Sequence, residues 1–154
     1  IVSIEPPATN GLGPDFAVFE NALNDTFLEL AFVEVSSDGE HFARFPGIYL
    51  GSEPIAPFGH HEPELMAQLA GKYRAGFGVP FDLQVLSGHP MVQSGLLDLQ
   101  FVTHVRVIDI VGDGKTLDSF GHPIFDPYPT LQSAGFELDA VAVLEHTSAE
   151  PCDD

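Results

Sequence analysis

Two long stretches of the chain have the hydrophobic patterns of β-strands. Residues 27–35 are apolar at most positions, which is typical of a strand buried on much of both faces. Residues 101–111 predict a second strand, in which Asp109 shares one face with Val105, Val107 and Val111. Shorter apolar runs predict further strands at 16–19, 41–45, 48–50 and 136–144.

Glycine and proline separate these runs. Residues 1–14 contain turn-forming Pro, Gly and Asn and are predicted to form a loop, while Ser-Ser-Asp-Gly at 36–39 predicts a hairpin turn. Residues 62–70 are the only good helix candidate, because Leu65, Met66 and Leu69 form one stripe. An irregular segment is predicted from 71 to 79, leading into 81–86.

The length and composition fit a single all-β domain over 1–154, with a flexible acidic tail at 146–154. With 13 Pro and 15 Gly, a helical bundle is excluded. Cys152 is the only cysteine, so an internal disulfide is impossible. No apolar run is long enough to span a membrane as a helix. The chain opens with Ile1 and lacks signal-peptide regions, so we expect a leader to have been removed on export.

The charge narrows the classes of partner. With 23 Asp+Glu against 5 Lys+Arg, the net charge is −18, which excludes nucleic acid and anionic membranes as partners. A hydrophobic fraction of 44% argues against disorder. The carboxylates are therefore either solvated or hold a cation.

Two aspartates interrupt apolar strand faces. Asp109 and Asp139 lie among valines, where a lone carboxylate is costly unless it is paired. One interpretation is that the strand ends lie near solvent, or that Arg106 or backbone amides satisfy these carboxylates. The other is calcium, which takes six to eight oxygen ligands from carboxylates, amides and carbonyls.

Five segments resemble a bacterial secreted cell-surface domain that often occurs with C-terminal sorting tails. They are NGLGPDFAVFEN at 10–21, EVSSDG at 34–39, AGKYRAGF at 70–77, DPYPT at 126–130 and GFELDAV at 135–141. More distantly, EVSSDG, VTHVRVID at 102–109 and FELDAV are similar to galactose-binding-like and discoidin jelly rolls.

The resemblance implies a β-sandwich of jelly-roll type with a structural calcium ion beside the first loop and the last strand. Carried onto matching positions, it implies calcium ligands among Asp15, Glu20, Asn21 and Asp139, with Asp126 and Asp109 as second-rank candidates. It also implies an extracellular location.

The function predicted is therefore a non-catalytic, calcium-stabilised surface module with a structural or adhesion role, whose partners are other surface proteins or further copies of itself. No nucleophile elbow, phosphate loop or dinucleotide fingerprint occurs. Glu137 and Asp139 are a carboxylate pair of the kind that cuts glycosides, but nothing else in the sequence marks a cleft.

Two alternatives stay open. A carbohydrate-binding module would use loop aromatics, for which Tyr73, Phe77 and Tyr128 are candidates, although the chain has no Trp. An extracellular copper or haem accessory protein would use histidines, with His60 and His61 as the candidates, although their spacing matches no metal motif.

Overall fold

A computed structural model describes residues 1–131 and 135–145 and consists mainly of strands, all paired antiparallel. The strands are β1 (Val2–Ala8), β2 (Phe16–Glu20), β3 (Ala31–Ser36), β4 (Ala43–Arg44), β5 (Ile48–Tyr49), β6 (Met66–Ala67), β7 (Val79–Phe81), β8 (Val102–Asp109), β9 (Asp113–Leu117), β10 (Pro123–Phe125) and β11 (Leu138–Val143). The helices are short: 3-10 turns at Pro63–Leu65 and Leu83–Leu86, and α1 (Pro90–Gln93). The all-β prediction is confirmed.

Two larger sheets organise the chain. The first has the order β1-β8-β3-β4, and its central pair runs from Ala31 opposite Asp109 to Ser36 opposite His104. The second has the order β11-β2-β7. Two further ladders join β9 to β10 and β5 to β6. In the described part of the chain, no helix is long and apolar enough to cross a membrane.

The two larger sheets share one hydrophobic core. Phe16 and Phe81 of the second sheet stack at 5.3 Å between ring centroids, and both rings meet Phe45 edge-on. Val33 and Val105 of the first sheet belong to the same buried cluster. A smaller cluster lies beneath the β5–β6 ladder and contains Leu30, Phe32, Tyr49, Met66, Leu69, Ile110 and Ile124.

The predicted N-terminal loop over 1–14 is wrong in its first half, where the chain forms β1. Ile4 and Ala8 point into the core, and β1 pairs only with β8, so it is an edge strand. Proline is tolerated at an edge because one side of the strand needs no ladder hydrogen bonds. The prolines of β1 therefore gave a misleading turn signal.

The predicted helix over 62–70 is also wrong. Only Pro63–Leu65 forms a 3-10 turn, after which Met66 pairs with Tyr49 in the β5–β6 ladder and Gln68 takes a left-handed φ of 56°. Met66 and Leu69 are buried in the smaller core cluster. Tertiary packing thus overrides the local helical pattern.

Other boundaries shift. The strand predicted over 27–35 begins at Ala31, and the pairing of Val35 with Ala43 leaves a longer connection than a tight Asp-Gly hairpin. Residues 81–86 divide between the end of β7 and a 3-10 turn. The β9–β10 hairpin and α1 were not predicted. The predicted tail at 146–154, with Cys152, lies outside the described residues.

Candidate functional site

Four carboxylates at strand ends form what we call the acidic cluster: Glu20, Glu29, Asp109 and Glu137. Glu20 ends β2 and lies opposite Leu138, the residue after Glu137. Asp109 ends β8 and lies opposite Ala31, two residues after Glu29. The register of each sheet thus places two of these carboxylates near each other, and Glu29 lies close enough to Glu20 and Glu137 for their charges to interact across the two sheets.

Residues 135–137 tie the cluster together. The backbone amide of Gly135 donates a hydrogen bond to the Glu29 carboxylate, and the amide of Phe136 donates to Asp109 Oδ1 at 3.3 Å. Asn21 Nδ2 donates to Glu137 Oε2 at 2.5 Å. A cavity of about 490 Å³ opens here, lined in part by Asn21, Glu29 and Glu137. The cluster thus has a solvent-accessible approach.

Glu20 is the most deeply buried member of the cluster, with 1% of its surface exposed. Its Oε2 accepts a hydrogen bond from the Ala22 amide at 2.8 Å. Its Oε1 is buried and has no hydrogen-bond partner among the described residues. A buried, unsatisfied carboxylate oxygen is costly, so it needs a proton or a cation.

The electrostatics of the cluster point the same way. Burial raises the pKa of Glu20 to about 7, against the lowering effect of the Ala22 amide, and the carboxylates of Glu29 and Glu137 raise it further. Burial likewise raises the pKa of Glu29, and Asp109 and Glu137 add to that rise. Like charges held close together favour protonation or capture of a cation.

The basic side chains of the chain are all engaged elsewhere. Arg44 and Arg106 pair with Glu34, Arg74 pairs with Asp25, and Lys115 pairs with Asp113. Lys72 donates to the Met66 carbonyl. Within residues 1–131 and 135–145, no lysine or arginine pairs with the acidic cluster. In the part of the chain that the structure describes, no lysine or arginine compensates the negative charge of the cluster, and His60 is the histidine that lines its cavity.

The six residues predicted as calcium ligands do not form one site. Glu20 and Asp109 belong to the acidic cluster, and Asn21 contacts it through Glu137. Asp139 is exposed, at an irregularity in the β11–β2 pairing. Among the described residues, no three His, Cys, Asp or Glu side chains form a ready-made metal-binding group.

Asp15 lies apart from the cluster and has a structural environment. It is fully buried, and its carboxylate accepts hydrogen bonds from the amides of Gly11 and Leu83 at 2.8 and 2.6 Å. These contacts hold the glycine-rich loop against the 3-10 turn that follows β7. Asp15 thus joins two loops through their backbone.

Asp126 also lies apart, in a buried pair with His61. His61 Nε2 lies 2.7 Å from Asp126 Oδ1, and the Leu30 amide donates to both carboxylate oxygens at 3.2 Å. Burial raises the pKa of Asp126 to about 6, while His61 opposes that rise. The ring of Tyr49 meets the His61 ring edge-on. These contacts fix the 51–65 loop to the smaller core cluster.

The two predicted histidines line one cavity but differ in burial. His61 is 3% exposed and engaged with Asp126, whereas His60 is exposed in the loop. The two imidazoles therefore have different environments.

The exposed strand ends explain the two aspartates on apolar faces. Asp109 and Asp139 are both exposed, and a backbone amide satisfies Asp109. Of the two interpretations, solvent exposure at a strand end accounts for both residues without a metal.

The three aromatic residues predicted as ligand contacts do not lie at one cavity. Tyr73 and Phe77 line one cavity of about 510 Å³. Tyr128 is not among the residues that line this cavity, and its amide donates to the Ile55 carbonyl at 3.0 Å.

Sequence reasoning missed Glu29 and Glu137 as members of a common site. The Glu29 contact with Gly135 spans 106 positions, so nothing local in the sequence indicates it. One signal was present: Glu29 interrupts the most apolar run of the chain. A charged residue in such a run needs a partner or an open strand end.

Comparison with known proteins adds no assignment. No protein-family model matches the chain, and neither the curated proteins nor the solved structures include a significant match.

Proposed function

We propose that this protein is a non-catalytic, secreted β-sandwich of jelly-roll type that acts as a structural or adhesion module of the cell surface and is stabilised by calcium. The observation that carries the proposal is the acidic cluster: among the described residues, no lysine or arginine pairs with it, and Glu20 Oε1 is buried without a hydrogen-bond partner. The two antiparallel sheets with a shared core support the sandwich architecture.

Calcium fits the chemistry of the cluster. The donor set consists of carboxylate oxygens, the ligands that a hard divalent cation prefers. Glu20, Glu29 and Glu137 would hold the ion, and backbone carbonyls and water would complete its six to eight oxygen ligands. A divalent charge here would relieve the repulsion between these carboxylates.

The position of the cluster explains how calcium would stabilise the fold. Glu20 and Glu137 adjoin β2 and β11 of the second sheet, while Glu29 and Asp109 adjoin β3 and β8 of the first. An ion bound among them would link the ends of both sheets, because it holds strands from each. Calcium sites of extracellular modules work at millimolar concentration, which suits a secreted protein.

The remaining buried carboxylates support a structural role. Asp15 accepts backbone amides that join loops, and Asp118 does the same for Tyr49, Phe120 and His122. Burial alone would raise the pKa of Asp118, but these amides, with the His122 side chain, lower it to about 2. Such groups stabilise loops that present a surface to partners, either other surface proteins or further copies of this chain.

Thermal unfolding in millimolar calcium and in EDTA, near neutral pH, tests the proposal. We expect calcium to raise Tm by about 2–5 °C, because a ligand that binds only the folded state stabilises it by mass action. Glu20→Gln should lose most of this rise, whereas the exposed Glu40→Gln should keep it. Equal melting temperatures of the wild type in calcium and in EDTA would contradict the proposal.

A further inference from the structure

A second surface feature lies at the loop before β7, away from the hydrogen bonds of the acidic cluster. Phe19, Tyr73 and Phe77 line a cavity of about 510 Å³, and Arg74 and Asp25 lie at the same cavity. We propose that this cavity binds a neutral pyranose ring of a glycan, with the aromatic rings forming its walls and the Arg74–Asp25 pair contacting its hydroxyls.

Both aromatic rings keep exposed surface in the folded protein, with Lys72 Nζ over one part of Tyr73 at 5.7 Å from the ring centroid and Arg74 near Phe77. Tyr73 is 39% exposed and Phe77 is 56% exposed, although burial of either ring would be favourable. The faces of such rings attract the C–H groups of a sugar, in the same way that they attract other positively polarised groups. Exposed aromatic surface next to a cavity marks an interaction site more clearly than scattered apolar residues do.

The backbone holds this cavity open and in place. A Cβ atom added at Gly78 would lie 2.7 Å from the Phe19 ring, so glycine is required for that ring to keep its position. The Ala75 amide donates to the Ala22 carbonyl at 2.9 Å, and the Phe77 amide donates to the Arg74 carbonyl at 3.1 Å. A site whose loop is already ordered loses less entropy when a ligand binds.

The polar groups at the cavity suit sugar hydroxyls. Arg74 Nε lies 3.3 Å from Asp25 Oδ1, and the guanidinium carbon lies 5.2 Å from the Phe77 ring centroid. Both charged side chains are more than half exposed, at 51% and 74%. Arginine offers five N–H donors and aspartate offers only acceptors, so the pair can satisfy neighbouring hydroxyls that both donate and accept.

Electrostatics select a neutral sugar over an anionic one. The chain carries a net charge of −18, and Asp25 adds a carboxylate at the cavity itself. A uronate or sulfated sugar would meet repulsion from both, and Arg74 is already paired with Asp25. An uncharged hexose, pentose or N-acetylhexosamine meets no such penalty.

Isothermal titration with cellohexaose, mannohexaose, xylohexaose and chitohexaose tests the inference, with hexagalacturonate as the anionic comparison and millimolar calcium throughout. We expect at least one neutral hexasaccharide to bind with a Kd below about 1 mM. Absence of binding by all four neutral sugars, or tighter binding of hexagalacturonate, would overturn the inference.

Two variants locate the binding site. Phe77→Ala and Arg74→Met should each weaken binding on the order of tenfold. Phe101→Ala is the matched control, because Phe101 is 54% exposed outside the residues that line the cavity, and it should bind as the wild type does. Equal weakening by Phe101→Ala, or dimerisation of the wild type that Phe77→Ala abolishes, would contradict a sugar site. The calcium-induced rise in Tm should persist in both cavity variants, so a failure here is distinct from a failure of the calcium proposal.

Discussion

Two buried glutamates of this protein have opposite surroundings. Glu34, in the centre of the first sheet, is 5% exposed, and each of its oxygens accepts from an arginine: Arg44 on β4 at 2.8 Å and Arg106 on β8 at 2.5 Å. Glu20, at the end of β2, is 1% exposed, and its Oε2 accepts a hydrogen bond from the Ala22 amide. Its other oxygen is unpartnered among the described residues.

The difference shows how the fold treats a buried charge in two ways. Glu34 lies directly opposite Arg44 and Arg106 in the strand register, so its charge is satisfied by the same pairing that builds the sheet. Glu20 is instead buried beside other carboxylates, and its pKa is raised first by burial and then by the charges of Glu29 and Glu137. The first arrangement is complete within the protein, and the second calls for a proton or an added cation.

Removal of both arginines should have the largest effect, because it makes Glu34 resemble Glu20. In Arg44→Met/Arg106→Met we expect a loss of about 3 kcal/mol in the free energy of unfolding, since an uncompensated buried charge remains. The cation–π contacts of these arginines with Phe32 and Phe42 are lost as well. Urea denaturation near neutral pH measures the loss. Lys115→Met, which removes an 84% exposed lysine, should change little, and an equal loss in both variants would contradict the comparison.

Glu20→Gln should cause the next largest change in the free energy of unfolding, and this change should be a gain in stability. The pKa of Glu20 is raised from 4.5 to about 7, so the folded state binds this proton more tightly than the unfolded state does. In EDTA, the wild type should therefore lose stability as the pH rises from about 4.5 through about 7.

The glutamine variant should avoid this loss. We expect it to exceed the wild type by on the order of 2 kcal/mol at about pH 8 in EDTA, and to match it at about pH 4. Denaturation curves across this pH range measure the difference. A glutamine variant that is less stable than the wild type at alkaline pH would show that ionised Glu20 is satisfied without a metal.

Asp126→Asn tests an intermediate case, because Asp126 is buried against one histidine. In the wild type, two carboxylate oxygens of Asp126 contact His61 Nε2 and the Leu30 amide. The asparagine side chain has only one acceptor oxygen, so one of these contacts is weakened. We expect a loss of about 1–2 kcal/mol near neutral pH. Chemical denaturation measures it, with the exposed His60→Gln as the control. A loss of stability as large as that of the double arginine variant would show that Asp126, like Glu34, depends fully on its ionic partner.

Asp139→Asn should have the smallest effect. The residue is exposed on β11, and surface substitutions of this kind usually change stability by less than about 0.5 kcal/mol. We expect the same melting temperature as the wild type in EDTA and an unchanged rise in calcium. A lost calcium response would return Asp139 to the ligand set predicted from the sequence.

The sequence predicted the parts of the fold that depend on local hydrophobic pattern. The apolar runs around β3 and β8 identified these two strands, but their pairing at the centre of the first sheet was not predicted. The pattern failed where packing decides the structure. At 62–70 a helical stripe becomes a turn and a strand, because Met66 pairs with Tyr49.

The candidate site was predictable only in part. Glu20, Asn21 and Asp109 were among the candidates, but Glu29 and Glu137 enter through contacts between residues far apart in the chain. Asp15 and Asp126 have the acidic side chains that calcium needs, yet the carboxylate of Asp15 accepts backbone amides and that of Asp126 contacts a histidine. Residue type alone could not separate these roles, because each depends on which partner the fold brings nearby.

Calorimetric titration of calcium at about pH 7, in two buffers of different ionisation enthalpy, tests the central claim most directly. A site that contains Glu20, whose pKa is raised to about 7, should bind calcium with release of part of a proton, so the heat should depend on the buffer. Glu20→Gln should weaken binding and reduce this release. No calcium binding by the wild type, or the same affinity and proton release in Glu20→Gln, would contradict the account.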